Sequence, residues 1–144
     1  MGSLIIENAN LFTGVDEEVI ENGAIWVSDR FIKFAGHLND LPTNRENVDR
    51  YDASGKFIMP GMTESHVHLS YNNSHPQQLN SEPLPIAMLD AVDNARILLG
   101  SGFTSAISFG SAQGLDIPLR DAINAGRIPG PRLAASDRDL GSTG

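Results

Sequence analysis

Two histidines separated by a single residue are the first candidates for chemistry in this sequence. His66 and His68 lie in PGMTESHVHLSYNN, residues 60–73, which begins with a Pro-Gly pair. In a β-strand, residues i and i+2 point to the same face, so the two imidazoles would project together. Neutral imidazole is a common ligand of zinc and other transition metals. The pair therefore predicts two ligands to one metal ion. The alternative is a pair of strand histidines satisfied by hydrogen bonds.

Other polar residues near this strand are weaker candidates. Glu64 shares the face of the histidines, where it would either orient a metal cluster or pair with a basic neighbour. Tyr71 begins the following loop and would either contact a substrate or anchor that loop. Ser108 and Gly110 end a later strand, and we expect them on the histidine face, beside a pocket. Structural or surface roles are expected for His37, His75, Trp26, Arg132 and Arg138.

Composition limits the classes of partner and site. The formal net charge is −8 and the basic residues form no run, which disfavours a nucleic acid as partner. The absence of cysteine excludes disulfides and thiolate metal ligands. No apolar run approaches the roughly 20 residues that span a membrane. These features predict a cytoplasmic protein with neither a nucleic acid nor a membrane as partner.

The second part of the sequence alternates strand and helix patterns. Strands are predicted over 62–69, 102–110 and 130–136, and helices over 84–100 and 116–126. This order is typical of βαβ units with a parallel sheet. His66 and His68 would then lie at the carboxyl end of the first parallel strand, where active sites of α/β folds are found.

The helix patterns also predict buried faces and end residues. The first helix is expected to bury a face that contains Ala95, to be capped by Ser81 and to end at Gly100. In the second helix, Asp116 is expected as the N-cap and Gly126 as the terminating residue. The predicted apolar faces are Met88, Val92, Ala95 and Leu99 in the first helix, and Leu119, Ala122 and Ile123 in the second.

Short strand patterns joined by turns fill the first part of the sequence. They fall at 4–12, 23–27, 30–36 and 50–61, the last broken by a Ser-Gly turn. We therefore expect a small antiparallel β domain, similar to half of a sandwich, over 1–59. The parallel α/β region would follow over 60–144.

Three segments resemble the N-terminal part of metal-dependent amidohydrolases, in the branch of imidazolonepropionase-like enzymes and Xaa-Pro or Xaa-Arg dipeptidases. FIMPGMTESHVHL resembles the signature of the first barrel strand, GSGFTSAISFG the second strand, and LRDAINAGRIPGPRLAASDRDLGSTG the segment through the third. Glu64 replaces the usual Asp, and Ile107-Ser108 replace the Arg-Asp of many relatives. The resemblance implies the start of a (β/α)₈ TIM-type barrel, with about three strands present, after a small β-sandwich-like domain.

The resemblance also implies a metal-dependent hydrolase that cleaves amide or cyclic-amide C–N bonds of a small-molecule substrate. It would use water activated by one or two divalent ions, with zinc as the expected metal. His66 and His68 would be metal ligands. The family's carboxylated lysine, two further histidines and catalytic Asp would lie beyond residue 144, since no lysine follows Lys56. At 144 residues the sequence is too short for a closed barrel of about 200 residues. We therefore expect a piece of a longer enzyme, or one chain that a second chain or another copy completes.

Two alternatives to hydrolysis stay open at this point. Related barrels carry out non-hydrolytic chemistry, so a metal-dependent decarboxylase or lyase is one alternative, and the replacement at Ile107-Ser108 leaves it open. The other is a catalytically inactive module that keeps only part of a barrel.

Overall fold

A computed structural model describes residues 2–42, 48–73 and 81–138 of the chain. The chain forms two compact units, Met1–Pro60 and Gly61–Gly144. His75 and the rest of 74–80 lie outside the described residues. No helix within the described ranges is long and apolar enough to cross a bilayer.

The first unit contains one five-stranded sheet. Its strands are β1 (Ser3–Phe12), β2 (Val19–Ser28), β3 (Phe31–His37), β4 (Asp49–Asp52) and β5 (Phe57–Ile58). β1 pairs antiparallel with β2, and β2 pairs antiparallel with β3.

The expected purely antiparallel arrangement is wrong at one edge of this sheet. β4 and β5 both pair with β1 in parallel, with Leu4 opposite Asp49 and Leu11 opposite Ile58. The Ser-Gly turn that separates β4 from β5 therefore does not close a hairpin, because both segments extend along the same neighbour. Within the described residues of the first unit, the five strands form one mixed sheet, and a second sheet that would complete a sandwich is not seen.

The second unit has the predicted alternation of strand and helix. Its elements are β6 (Met62–Val67), α1 (Leu84–Gly100), β7 (Phe103–Ser108), α2 (Asp116–Asn124) and β8 (Arg132–Ala134). The strand order is β6-β7-β8, and both pairings are parallel. The expected βαβ organisation is thus present, whereas closure of a barrel is not seen in the described part of the chain.

Helices cover one face of this parallel sheet. Ala91 and Ala95 of α1 and Leu119 of α2 are almost fully buried. They form one core with three other buried residues, Leu69, Ala106 and Leu133. The partly buried side chains that pack against this core are Val67, Val92, Leu98, Ile123 and Ile128. On the opposite face, Met62 and Ile107 are each about two-fifths exposed.

The helix faces and ends differ in part from the sequence predictions. The buried face of α1 is centred on Ala87, Ala91 and Ala95, while Met88 and Leu99 lie at its margin. α1 extends through Gly100, and the left-handed glycine after it is Gly102. Ser81 and Asp116 do not cap the helices: the N-cap residues are Pro83 and Leu115. The prediction for Gly126 is confirmed, because it follows the C-cap of α2 with φ near 67°.

The entry into β6 requires a residue without a side chain. A Cβ atom at Gly61 would lie 2.1 Å from the Thr104 hydroxyl and 2.7 Å from the Thr104 Cβ. Glycine therefore lets the first strand of the sheet start in close contact with β7. This contact fixes where β6 begins, and with it the position of the two histidines, five and seven residues after Gly61.

Candidate metal centre

The two predicted ligands meet at the carboxyl end of β6. The Nε2 atoms of His66 and His68 lie 3.2 Å apart, and the ring centroids are 5.2 Å apart. His66 is exposed and His68 is half-buried. The period of two along an extended strand thus brings the nitrogens together, as the sequence pattern predicts.

The nitrogen separation fits two ligands of one ion. Zn–N bonds of about 2.0–2.1 Å in tetrahedral geometry place two ligand nitrogens about 3.3 Å apart. The observed 3.2 Å also suits a single hydrogen bond between the rings, which needs a proton on one Nε2. The arrangement can therefore hold either a proton or a metal ion between the same two atoms.

A backbone carbonyl sets the protonation pattern of His68. Its Nδ1 lies 3.0 Å from the Gly110 carbonyl oxygen. A carbonyl can only accept, so Nδ1 carries a proton, and in the neutral ring Nε2 keeps its lone pair. Histidines that bind metals commonly donate their other ring nitrogen to such an acceptor. His68 is therefore held in the form that a metal ion requires.

A buried serine holds the segment that supplies this carbonyl. The Ser108 hydroxyl donates to the Gly110 oxygen over 3.2 Å and lies 3.4 Å from the Gly110 amide nitrogen. Ser108 is 1% exposed and shares its side of β7 with the core residue Ala106. The prediction that Ser108 faces the histidine side is therefore wrong, since its side chain points towards the helices. After the end of β7, the Phe109 side chain contacts His66 and the Gly110 carbonyl contacts His68.

Glu64 contacts the backbone of the site. Its Oε1 accepts a hydrogen bond from the His66 amide nitrogen at 3.2 Å. Among the described residues, the ion pairs are Arg50 with Glu7, Arg96 with Asp93 and Arg120 with Asp121, and none includes Glu64. The basic neighbour considered for this carboxylate is thus not found there, and the carboxylate instead restrains the strand that carries the histidines.

Tyr71 and the helix α1 shape the segment after the histidines. The Tyr71 ring stacks on the His68 ring, with centroids 5.2 Å apart. The Asn94 side-chain amide of α1 donates to the carbonyls of Leu69 and Tyr71, at 2.9 and 3.0 Å. A cavity of about 330 Å³ lies beside this segment, with a lining that includes His68, Tyr71 and Asn94. No sequence pattern predicts this role for Asn94, because a helical asparagine is usually a surface residue.

A second polar cluster ties the loops at this edge of the sheet together. The Asp116 carboxylate is 1% exposed and accepts hydrogen bonds from the Ser111 hydroxyl and the Ser136 amide. The Ser70 hydroxyl accepts from the Ala112 amide at 2.8 Å. These bonds join the segments that follow β6, β7 and β8, and so fix the loop in which Gly110 lies.

The remaining candidates lie away from the histidine pair or have structural contacts. The Trp26 indole is half-buried and donates to the Ser3 hydroxyl at 2.7 Å. The His37 ring accepts from the Asn39 amide at 3.2 Å and caps a short 3₁₀ turn. Arg132 and Arg138 are exposed. The described residues contain no group of three or more His, Asp or Glu side chains that could hold a metal ion, so the histidine pair supplies two ligands only.

Comparisons with curated proteins find relatives over most of the chain. Ochratoxinase from Aspergillus niger is 28% identical over 145 residues, covering 94% of this chain and 28% of its own length. Imidazolonepropionase from Picrophilus torridus is 27% identical over 124 residues, covering 83% of this chain and 29% of its own length. This chain thus spans less than a third of the length of these relatives.

A solved structure is also similar to this chain over most of its length. A crystal structure of an amidohydrolase superposes with a TM-score of 0.82 at 29% identity, covering 94% of this chain and 32% of that one. No protein-family model matches the chain. The fold and these relatives support a likeness to proteins of the amidohydrolase superfamily. Over most of its length the chain is similar to the N-terminal part of amidohydrolase-superfamily members, as the resemblance of its three segments predicts.

Proposed function

We propose that this chain is the first part of a metal-dependent hydrolase that cleaves amide or cyclic-amide C–N bonds. Residues 60–144 would begin the hydrolase barrel, and residues 1–59 would form a small β domain. The observation that carries the proposal is the pair of Nε2 atoms 3.2 Å apart, with the Nδ1 of His68 on the Gly110 carbonyl. The relative named amidohydrolase supports the reaction class.

The residues of this chain hold and orient the metal in this proposal. A bound zinc ion would supply Lewis acidity, which lowers the pKa of water towards neutrality and polarises a substrate carbonyl. His66 and His68 would hold the ion. Gly110 keeps the proton of His68 on Nδ1, and Glu64 restrains the backbone at His66. Further ligands, which decide between one ion and two, and a general base come from outside the described residues.

Metal binding by the isolated chain tests the ligand assignment. Co²⁺ is titrated into the 144-residue chain, and binding is followed by visible absorbance. His66→Ala and His68→Ala should each weaken Co²⁺ binding on the order of tenfold or more, because each removes one of two nitrogen ligands. His37→Ala is the matched control, since His37 caps a 3₁₀ turn in the other unit. Equal affinity in all three variants would overturn the assignment.

Product analysis tests the reaction. The metal-loaded protein, with the residues that complete its barrel, is incubated with N-acyl amino acids, dipeptides and cyclic amides. Hydrolysis consumes water and releases an amine and an acid, or opens the ring. A decarboxylase instead releases CO₂. Ile107, two-fifths exposed on the histidine side of β7, is aliphatic where the family resemblance leads us to expect arginine, and this difference keeps the second reaction in the test.

A further inference from the structure

Each imidazole of the histidine pair lies against an aromatic ring from another segment. His66 stacks on Phe109 with centroids 4.3 Å apart and an interplanar angle of 11°. His68 stacks on Tyr71 with centroids 5.2 Å apart and an angle of 21°. Each aromatic ring is therefore nearly parallel to the imidazole that it contacts. We call Phe109 and Tyr71 together the aromatic bracket.

Phe109 is held in place by the sheet. Its amide donates to the Val67 carbonyl at 3.2 Å, which continues the pairing of β7 with β6 beyond Ser108. The side chain is 49% exposed and is not a member of the helix–sheet core. Burial in that core therefore does not explain a large aromatic side chain here, whereas its contact with His66 does.

Tyr71 is held by a turn and by helix α1. Its amide donates to the His68 carbonyl at 3.1 Å, and its own carbonyl accepts from the Asn94 side chain at 3.0 Å. The turn brings the Tyr71 ring back over His68. His68 has a second restraint in the Gly110 carbonyl, which His66 does not share.

Restraint of these rings bears directly on metal affinity. The χ2 torsion of histidine has broad minima, so an unrestrained imidazole samples many ring orientations. A metal ion that binds two such rings must order both, and this ordering reduces affinity. Rings that are already oriented with convergent Nε2 atoms avoid part of that loss.

We infer that Phe109 and Tyr71 are positioning residues that orient His66 and His68 for metal binding before the ion arrives. The inference rests on the proposed metal site. It assigns neither aromatic residue to the reacting atoms. It also predicts an order: Phe109 matters more, because stacking is the main restraint on His66, whereas the Gly110 carbonyl also restrains His68.

Phe109 is tested by removing and then restoring the aromatic face. Phe109→Leu should weaken Co²⁺ binding to the 144-residue chain by about three- to tenfold, and Phe109→Tyr should restore it, since the ring face is kept. Phe57→Leu is the matched control, because Phe57 is 55% exposed in the other unit. Unchanged affinity in Phe109→Leu would overturn the inference.

Tyr71 is tested in the same way, with a smaller effect. Tyr71→Leu should weaken Co²⁺ binding by about two- to threefold, and Tyr71→Phe should not. Tyr51→Leu is the control, since Tyr51 is 49% exposed on β4. Equal affinities for Tyr71→Leu and Tyr71→Phe would remove Tyr71 from the aromatic bracket.

A spectroscopic readout in the metal-free chain separates positioning from general stability. A stacked aromatic ring shields the ring protons of its partner, so Phe109→Leu should move the His66 ring resonances downfield at a fixed pH, and Phe109→Tyr should not. If His66→Ala and His68→Ala leave Co²⁺ affinity unchanged, the proposed metal site fails. If they abolish binding while Phe109→Leu changes neither affinity nor the His66 resonances, only the aromatic bracket fails.

Discussion

The two sheets of this protein use polar residues differently. In the five-stranded sheet of the first unit, polar side chains bond across neighbouring strands or within turns, as in Arg50 with Glu7 and Asn8 with Asp52. In the three-stranded sheet of the second unit, polar groups gather where the parallel strands end, around His66 and His68.

Strand direction explains this difference. β1 has an antiparallel neighbour on one side and parallel neighbours on the other. Amino ends of some strands therefore lie next to carboxyl ends of others in the first sheet. In the second sheet all carboxyl ends meet at one edge, and the loops that follow them can converge. A parallel arrangement is thus what lets a motif on β6, a carbonyl after β7 and a loop after β8 form one cluster.

The largest expected effects on the free energy of unfolding are those of substitutions in the cores of the two units. Leu119→Ala removes a side chain that is 0% exposed between the helices and the second sheet, and Ile5→Ala removes one that is 1% exposed in the first sheet. Each should lower the free energy of unfolding by about 2–5 kcal/mol, through lost burial and the cavity left behind. Urea denaturation measures this, with residue-resolved hydrogen exchange assigning the loss to one unit.

An exposed leucine of α1 provides the control for that experiment. Leu89 is 62% exposed, so Leu89→Ala should change the unfolding free energy by about 0.5 kcal/mol or less. If Leu119→Ala lowered the free energy of unfolding no more than Leu89→Ala, the helix–sheet core would not be what stabilises the unit that carries the candidate metal centre.

A smaller effect is expected where α1 holds the segment after the histidines. Asn94→Ala removes the donor shared by the carbonyls of Leu69 and Tyr71, and should cost about 1–2 kcal/mol of unfolding free energy. Asn124→Ala, at the exposed end of α2, is the control with the same change of residue type. Chemical denaturation of both variants measures the difference. Equal stability would mean that this edge of the sheet does not depend on the asparagine.

The smallest effect concerns a local bond in the first unit. The Ser54 hydroxyl, then Asn8 and the Ser54 amide, donate to Asp52 and hold the pKa of its carboxyl below the ordinary value of about 3.9. Because the folded pKa is lowered, this contribution to stability is present above the ordinary pKa and is lost as the pH falls through the folded pKa. Ser54→Ala should raise the pKa of Asp52, as a carboxyl ¹³C NMR titration would show. An unchanged pKa would contradict the assigned cause.

Local patterns in the sequence predicted the elements of the second unit better than their contacts. The bounds of α1 match the predicted 84–100, because the apolar run and the following glycines define its length. The centre of its buried face was misplaced, since apolar residues occur all around the helix. Ala87, Ala91 and Ala95 face the sheet because small side chains allow close packing, whereas Leu89 and Ile97 stay exposed.

Contacts between distant residues explain most of what the sequence did not reveal. The histidine pair needs only the period of two within one strand, so it could be predicted. Phe109 reaches His66 only through the register of β7 against β6, which no local pattern specifies. Asp116 was predicted as an N-cap from its neighbours, but its carboxylate bonds instead to Ser111 and Ser136. The parallel partners of β1 were missed for the same reason.

The parallel pairing of β1 with β4 and β5 has a consequence for the order of folding. Short connections join β1 to β2 and β2 to β3, so these strands can pair as soon as they are synthesised. Leu4 can meet Asp49 only after the intervening residues have been synthesised, and closing that long loop costs chain entropy before the new contacts compensate for it. Until β4 arrives, one edge of β1 has unpaired backbone groups, where another chain could add a strand. The rate at which residues 49–58 are synthesised therefore affects how long the unpaired edge of β1 can bind a strand of another chain.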